Sequence, residues 1–284
     1  MKQLLILSGK GGTGKTTVAS TFIALCQSDT FADCDVDAPN LHLVMPDLPS
    51  PNKTDYYGFE KAVIDQECCT HCGLCQTHCS FGAIQNFMVS EFECEGCGVC
   101  AEICPAHAIT MQPHISGDLL LYQDEECIFS TATLNMGSGA SGKLVTAVKC
   151  QLNDRAKGDI AIIDGSPGIG CPVIASISGV DFVLIVAEPT VSGLHDMKRI
   201  IETAQHFGVD CAVCVNKYDV NPTTVTEIED CCDNLSVPVV GKIPYDPMVI
   251  EAVNRCQSIA HYPNSPAGCA ISTIWHTLFN RYLK

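Results

Sequence analysis

The chain has 284 residues, enough to bury one large α/β core with room for a small insertion, and its formal net charge is −16 at pH 7. Phosphate backbones and anionic bilayers repel such a chain, which argues against a nucleic-acid partner and against stable membrane association. No apolar stretch approaches the roughly 20 residues that cross a bilayer, so the 20 cysteines are expected as reduced thiols or metal ligands of a cytoplasmic protein.

Gln3–Leu7 reads as a buried first strand rather than a secretory core. Gly9-Lys10-Gly11-Gly12-Thr13-Gly14-Lys15-Thr16 follows it, satisfies the phosphate-loop pattern G-x-x-x-x-G-K-[ST], and opens a helix predicted over Lys15–Gln27. In that pattern backbone N–H groups approach phosphate oxygens, Lys15 reaches the β- and γ-phosphates, and the Thr16 hydroxyl holds Mg2+. The carboxylates of Asp33-Cys34-Asp35-Val36-Asp37 come next, either as turn formers or as groups that order water beside a phosphate. Pro46-Asp47-Leu48-Pro49-Ser50-Pro51 reads as a linker out of this segment.

From about Asp65 to Pro113 the pattern breaks into short segments dense in Cys and Gly, which metal must organise. Two runs form an internal repeat: Cys69-x-x-Cys72-x-x-Cys75-x-x-x-Cys79 and Cys94-x-x-Cys97-x-x-Cys100-x-x-x-Cys104-Pro105. Three closely spaced thiolates followed by a fourth do not suit paired tetrahedral zinc sites. Cys68 falls outside the spacing, and His71 and His78 are read as solvated or outer groups. Gln112–Gly117 leads out. Strands at Asp159–Asp164, Phe182–Ala187, Cys211–Val215 and Val237–Val240 then alternate with helices predicted at Pro172–Ile177, Leu194–Phe207, Thr223–Asn234 and Asp246–Arg255, with a terminal one over Ala267–Tyr282. Such alternation implies a doubly wound, mostly parallel sheet with its site at the carboxyl ends of the strands. Ile160-Ala161-Ile162-Ile163-Asp164 is an apolar strand ending in a carboxylate, the second element needed to hold Mg2+.

Lys10-Gly11-Gly12-Thr13-Gly14-Lys15-Thr16-Thr17 resembles the deviant phosphate loop of the MinD/ParA/Mrp ATPases and the nitrogenase iron protein. In that family the extra lysine reaches the nucleotide of a dimer partner, so the resemblance implies that Lys10 acts in trans. It further implies that Asp35 orients the attacking water, that Asp33 contacts the magnesium shell, that Asp164 is the Walker B acid, that Gly168 senses the γ-phosphate and that Asn216 reads adenine. The cysteine runs resemble bacterial two-cluster ferredoxins, in which the fourth cysteine of each run ligates the other cluster. One [4Fe-4S] cluster would then use Cys69, Cys72, Cys75 and Cys104, and the other Cys79, Cys94, Cys97 and Cys100. Cys79 is followed by Ser80 where the pattern has proline, a departure read as a loop change.

Together these features predict a MinD-like α/β P-loop fold in two parts, 1–64 and 114–284, with a small α+β ferredoxin-like domain inserted at 65–113. The expected function is Mg2+-dependent hydrolysis of ATP to ADP, with dimer or switch changes that gate electron transfer or metallocluster assembly. The expected partners are a second copy or a paralogous ATPase, and a redox or metalloprotein client. An ATP-timed scaffold for metalloproteins, or an electron carrier with a vestigial ATPase core, are the alternatives. Cys171 is read as a buried or interfacial thiol, Cys211 and Cys214 as structural, and the stripe Ile271, Ile274, Trp275, Leu278, Phe279, Tyr282 as packing on the domain.

Overall fold

The computed structural model describes residues 1–45 and 47–284; Pro46, at the head of the expected linker, lies outside them. In chain order, β1 (Lys2–Ser8) leads through the phosphate loop into α1 (Lys15–Cys26), and β2 (Thr30–Asp33) ends at the first acidic segment, which closes with a 3-10 turn at Leu41–Val44. Next come β3 (Pro51–Tyr57), β4 (Lys61–Ile64), α2 (Leu74–His78), β5 (Ile84–Gln85), β6 (Met88–Val89), α3 (Val99–Glu102) and β7 (Ile109–Gln112). The chain continues through β8 (Ile115–Gln123), β9 (Ile128–Leu134), α4 (Ser141–Asn153), β10 (Ile160–Pro167), α5 (Cys171–Ile177), β11 (Phe182–Ala187) and α6 (Val191–His206). It ends with β12 (Asp210–Asn216), α7 (Pro222–Asn234), β13 (Val239–Ile243), α8 (Pro247–Asn254) and α9 (Pro266–Leu278).

Nine strands form one sheet in the order β13-β12-β11-β1-β10-β2-β9-β8-β3. The strands from β13 to β9 are parallel, and β8 and β3 extend that edge antiparallel. Period-two alternation divides β1 between two cores: Leu5 and Leu7 face α4 to α7, while Leu4 and Ile6 face α1 and α9. The terminal stripe lies in the second core, where Ile271, Ile274, Trp275 and Leu278 are buried and Trp275 meets Phe22 with ring centroids 5.1 Å apart. At about 1.5–3 kcal/mol per buried large side chain, that helix is held by the fold. Among the described residues no helix is long and apolar enough to cross a membrane.

Sequence periodicity placed β1, β10, β11 and β12 and most helices within a few residues. It missed β2, β3, β8, β9 and α4, and the strand expected at Val237–Val240 is β13, two to three residues later. β3 carries polar side chains on an exposed edge, and β2 is only four residues long, so neither gives a hydrophobic period. Pro51, read as linker, is the first residue of β3. The expected exit reduces to Pro113 and His114 between β7 and β8. β4 falls inside the expected first part, 1–64, yet it pairs antiparallel with β7 and not with the large sheet.

Between β4 and β7 the chain repeats itself structurally with an offset of 25 residues. Gly73 and Gly98, with φ of 78° and 76°, start α2 and α3 in a left-handed conformation that glycine adopts without strain. The Asp65 N–H donates to Ala108 O (2.7 Å) and the Ser90 N–H to Ala83 O (2.8 Å); Cys69 N–H donates to Asp65 O and Cys94 N–H to Ser90 O, both at 3.0 Å. Ala83, Ile84, Ala108 and Ile109 are buried at matched positions.

Candidate functional site

The phosphate loop sits where β1 ends in the middle of the sheet. Gly14 has φ of 95°, and a Cβ there would stand 2.3 Å from Asn216 Nδ2, so backbone conformation and close packing both require glycine. Lys15 is buried and pairs with Asp164 at 2.5 Å. Burial alone would push its ammonium down, but the surrounding Asp164, Asp33 and Asp35 outweigh that and hold it above its ordinary value. Thr16 Oγ1 lies 2.7 Å from Asp164 Oδ2 and 2.9 Å from Asn40 Oδ1. The hydroxyl and carboxylate expected around one Mg2+ are thus adjacent.

Asp33 is fully buried at the end of β2 and organises the loop after it. Its Oδ1 accepts from Asp35 N–H (2.9 Å), and its Oδ2 accepts from Asn40 N–H (2.9 Å) and Leu41 N–H (3.0 Å). Burial and the neighbouring Asp164 push its carboxyl up, against the opposing pull of Lys15. Burial likewise raises Asp35, which lines the cavity with Lys10, Gly11, Gly12, Thr17 and Pro167. That cavity is about 310 Å3, and Leu43, Val44, Val249, Val253 and Ile259 form its apolar side. Three carboxylates around one buried ammonium leave a surplus of negative charge, which fits a divalent cation.

Other expected residues have more specific surroundings. Gly168 donates its N–H to Ser8 O at 2.9 Å. Asn216 donates its amide to Thr13 O at 2.7 Å and so braces the loop from beneath. With Pro244, Tyr245 and Ile250 it also lines a second cavity of about 240 Å3 that shares Gly12, Gly14 and Thr17 with the first. Gly9 packs on α6, where a Cβ would stand 2.3 Å from Asp196 Cβ. Lys10 is exposed and its ammonium donates to Ser192 Oγ on the same helix. Sequence reasoning missed two groups here. Asn40 meets Thr16, and Lys149 donates to the carbonyls of Ala175 (3.3 Å), Ser176 (2.7 Å) and Ser178 (2.5 Å), tying α4 to the carboxyl end of α5. Asn40 lies three residues beyond the quoted acidic segment, and no spacing rule marks a buried lysine that caps another helix.

The cysteine runs surround a small core of their own, with Cys75 and Cys94 buried among Ala62, Ile64, Ala83, Ile84 and Ile109. Cys69, Cys72, Cys75 and Cys104 line one cavity with Ile64, Phe87 and Ile109. Cys104 Sγ accepts from Ala108 N–H at 3.4 Å. Among the described residues no three His, Cys, Asp or Glu side chains converge tightly enough for a single metal ion. A tetrahedral zinc site would need its sulfurs within about 3.8 Å of one another. The second run touches the core: a Cβ on Gly137 would stand 3.2 Å from Phe92 Cδ1, and one on Gly139 2.9 Å from Glu95 Oε2. The start of α4, which follows that loop, reaches α5, since a Cβ on Gly142 would lie 3.3 Å from Cys171 Cβ. Cys171 is exposed, not buried as one reading had it, while Cys211 and Cys214 are both buried in β12.

Residues 4–259 match the family model described as the CobQ/CobB/MinD/ParA nucleotide binding domain. The chain belongs to that family. An uncharacterized protein of Methanocaldococcus jannaschii is 34% identical over 223 residues, covering 77% of this chain and 79% of that protein. Among solved structures, the septum site-determining protein MinD of Pyrococcus horikoshii complexed with Mg-ADP is similar, with a TM-score of 0.58, 19% identity, and coverage of 98% of this chain and 95% of that one. The MinC:MinD cell division complex of Aquifex aeolicus gives a TM-score of 0.57 at 19% identity, covering 100% and 98%. At such identities the likeness is one of fold. The MinD/ParA-type site is that of a Mg2+-dependent P-loop ATPase, and Lys10, Lys15, Thr16 and Asp35 line one cavity. Positioning and electrostatic stabilisation supply nearly all of the catalysis in phosphoryl transfer.

Proposed function

We propose that this chain is an ATPase whose nucleotide state gates electron transfer or metallocluster assembly with a partner protein, through two [4Fe-4S] clusters held between β4 and β7. The observation that carries this reading is the lining of one cavity by three cysteines of the first run and the last cysteine of the second. Sequence-adjacent ligands alone would not bring Cys104 there; two-cluster cross-ligation requires it. In a cubane each thiolate binds its own iron, so the sulfurs stand farther apart than around one ion, consistent with the lack of a tight single-ion group among the described residues. Bound clusters would supply one-electron chemistry, and the Ala108 N–H that points at Cys104 Sγ is the kind of donor that tunes it.

The chain's own residues divide the remaining work. Lys15 and the loop amides would bind phosphates, Thr16 and Asp164 would hold Mg2+, and Asp35 would align water. Rearrangement of the Asp33–Leu41 loop and of the segment after Asp164 would follow the γ-phosphate. The route from there to the second run is short, because α4, whose Gly142 packs on Cys171, is preceded directly by the loop whose Gly137 and Gly139 pack on Phe92 and Glu95. Lys10, exposed beside the cavity, would release its hydrogen bond to Ser192 to reach a second copy or a paralogous ATPase in a nucleotide-dependent dimer. A cytoplasmic location and a redox or metalloprotein client belong to the same reading.

Anaerobic reconstitution tests it, with about eight irons per chain expected for two four-iron clusters. Redox titration without nucleotide, with ADP and with a nonhydrolysable ATP analogue should then give different midpoints. Iron far below eight defeats the cluster assignment, and midpoints and partner affinity that ignore nucleotide defeat the gating.

A further inference from the structure

The two cysteine runs match in backbone but not in charge. Lys61, in β4, is buried at 7% relative exposure, and its ammonium donates to the carbonyl oxygen of Cys94, the first ligand position of the second run. The 25-residue repeat that superposes Cys69 on Cys94 and Ile64 on Val89 puts neutral Asn86 at the equivalent of Lys61. Lys61 is also the only lysine or arginine between Lys53 and Lys143. A single permanent positive charge thus serves this whole segment, and it is placed behind one run.

We propose that Lys61 makes the second-run cluster the electron acceptor of the pair, an inference that rests on the two-cluster reading above. One-electron reduction adds a negative charge to a cluster, and a nearby ammonium stabilises that form, raising the reduction potential. Glu93 and Glu95 flank Cys94 and act in the opposite sense, but both are exposed. Water and salt screen exposed charges far more than a buried one, so the lysine outweighs them. A single electron supplied by an external one-electron donor therefore rests on the second-run cluster; when it first enters the first-run cluster, that cluster is reoxidised by one electron as the other is reduced. No proton or bond changes hands. The electron is held on the side where Phe92 and Glu95 meet the Gly137–Gly139 loop of the ATPase core.

The test reduces the reconstituted full chain with dithionite to one electron per chain and records its electron paramagnetic resonance. References come from chains lacking one ligand pair, Cys69→Ala with Cys72→Ala, or Cys97→Ala with Cys100→Ala. The wild-type signal should match the reference that retains the second run. In Lys61→Gln the second-run midpoint should shift to lower potential while the first-run midpoint stays, and Lys61→Arg should restore the wild-type order. First-run reduction in the wild type, or unchanged midpoints in a fully iron-loaded Lys61→Gln chain, overturns the proposal and leaves the two-cluster reading intact. Should Lys61→Gln lose iron from the second run, Lys61→Arg decides, since a reversed order in that charged variant refutes the proposal. A wild-type chain that takes up no iron defeats both.

Discussion

The nucleotide core and the segment from β4 to β7 are held together by different forces. In the core, strands such as β11 are buried at every residue, and two large clusters cover the faces of the sheet. The cysteine segment has one cluster of seven buried residues, two of them cysteines, between two-stranded sheets. Isolated two-stranded pairs are marginal in water. Burial therefore specifies the core, whereas under the proposed two-cluster reading the segment depends on what its thiols bind. The largest expected effect follows directly: iron chelation should unfold the segment and spare the core. Hydrogen exchange should show the amides of β4 and β7 losing protection to the level of an unfolded chain while β1, β10 and β11 keep theirs. Simultaneous loss in both regions would end the comparison.

A second prediction attacks from the other side. Lys15→Ala removes the one buried ammonium among Asp33, Asp35 and Asp164, and ATP turnover should fall by roughly 10^3-fold, the scale of losing a principal charge-stabilising group. Iron content should not change. A drop in iron would mean that the core supports the cysteine segment more than its separate packing indicates.

The same division explains what the sequence revealed. The phosphate loop and the strand that ends at Asp164 were legible because phosphate binding dictates residue type at fixed offsets. β1, β10, β11 and β12 were legible because central parallel strands are continuous apolar runs. β3 was not, since an exposed edge strand with Asn52, Lys53, Thr54 and Asp55 has no burial pattern. Contacts across the chain were hidden altogether: nothing in the local sequence says that Asn216 braces Thr13 or that β4 belongs with β7.

A third effect is intermediate. Asp33→Ala strands the N–H groups of Asp35, Asn40 and Leu41. The Asp35 and Leu41 donors are buried and cost about 1–3 kcal/mol each when unpaired, while water reaches Asn40 and loss of the repulsion with Asp164 returns part of the cost. A net destabilisation of about 2–3 kcal/mol is expected in chemical denaturation, with weakened ATP turnover because the loop that carries Asp35 loosens. Stability within about 0.5 kcal/mol of wild type would mean that water replaces the carboxylate.

The smallest energetic effect bears most sharply on how the two regions communicate. Phe92 keeps 75% of its surface exposed, so Phe92→Ala should change stability by under about 1 kcal/mol. Its ring edge nevertheless lies against Gly137, in the loop that leads into α4, whose Gly142 meets Cys171 at the start of α5. If nucleotide-driven movement after Asp164 reaches the second cysteine run through this loop, the variant should hydrolyse ATP and bind iron as wild type does. Only the nucleotide dependence of amide exchange around Cys94–Cys97 should fade. Persistence of that dependence would assign the coupling to the covalent path through the β3–β8 ribbon, or to the contact just beyond it, where Lys143 of α4 stands over Phe59 at 4.2 Å.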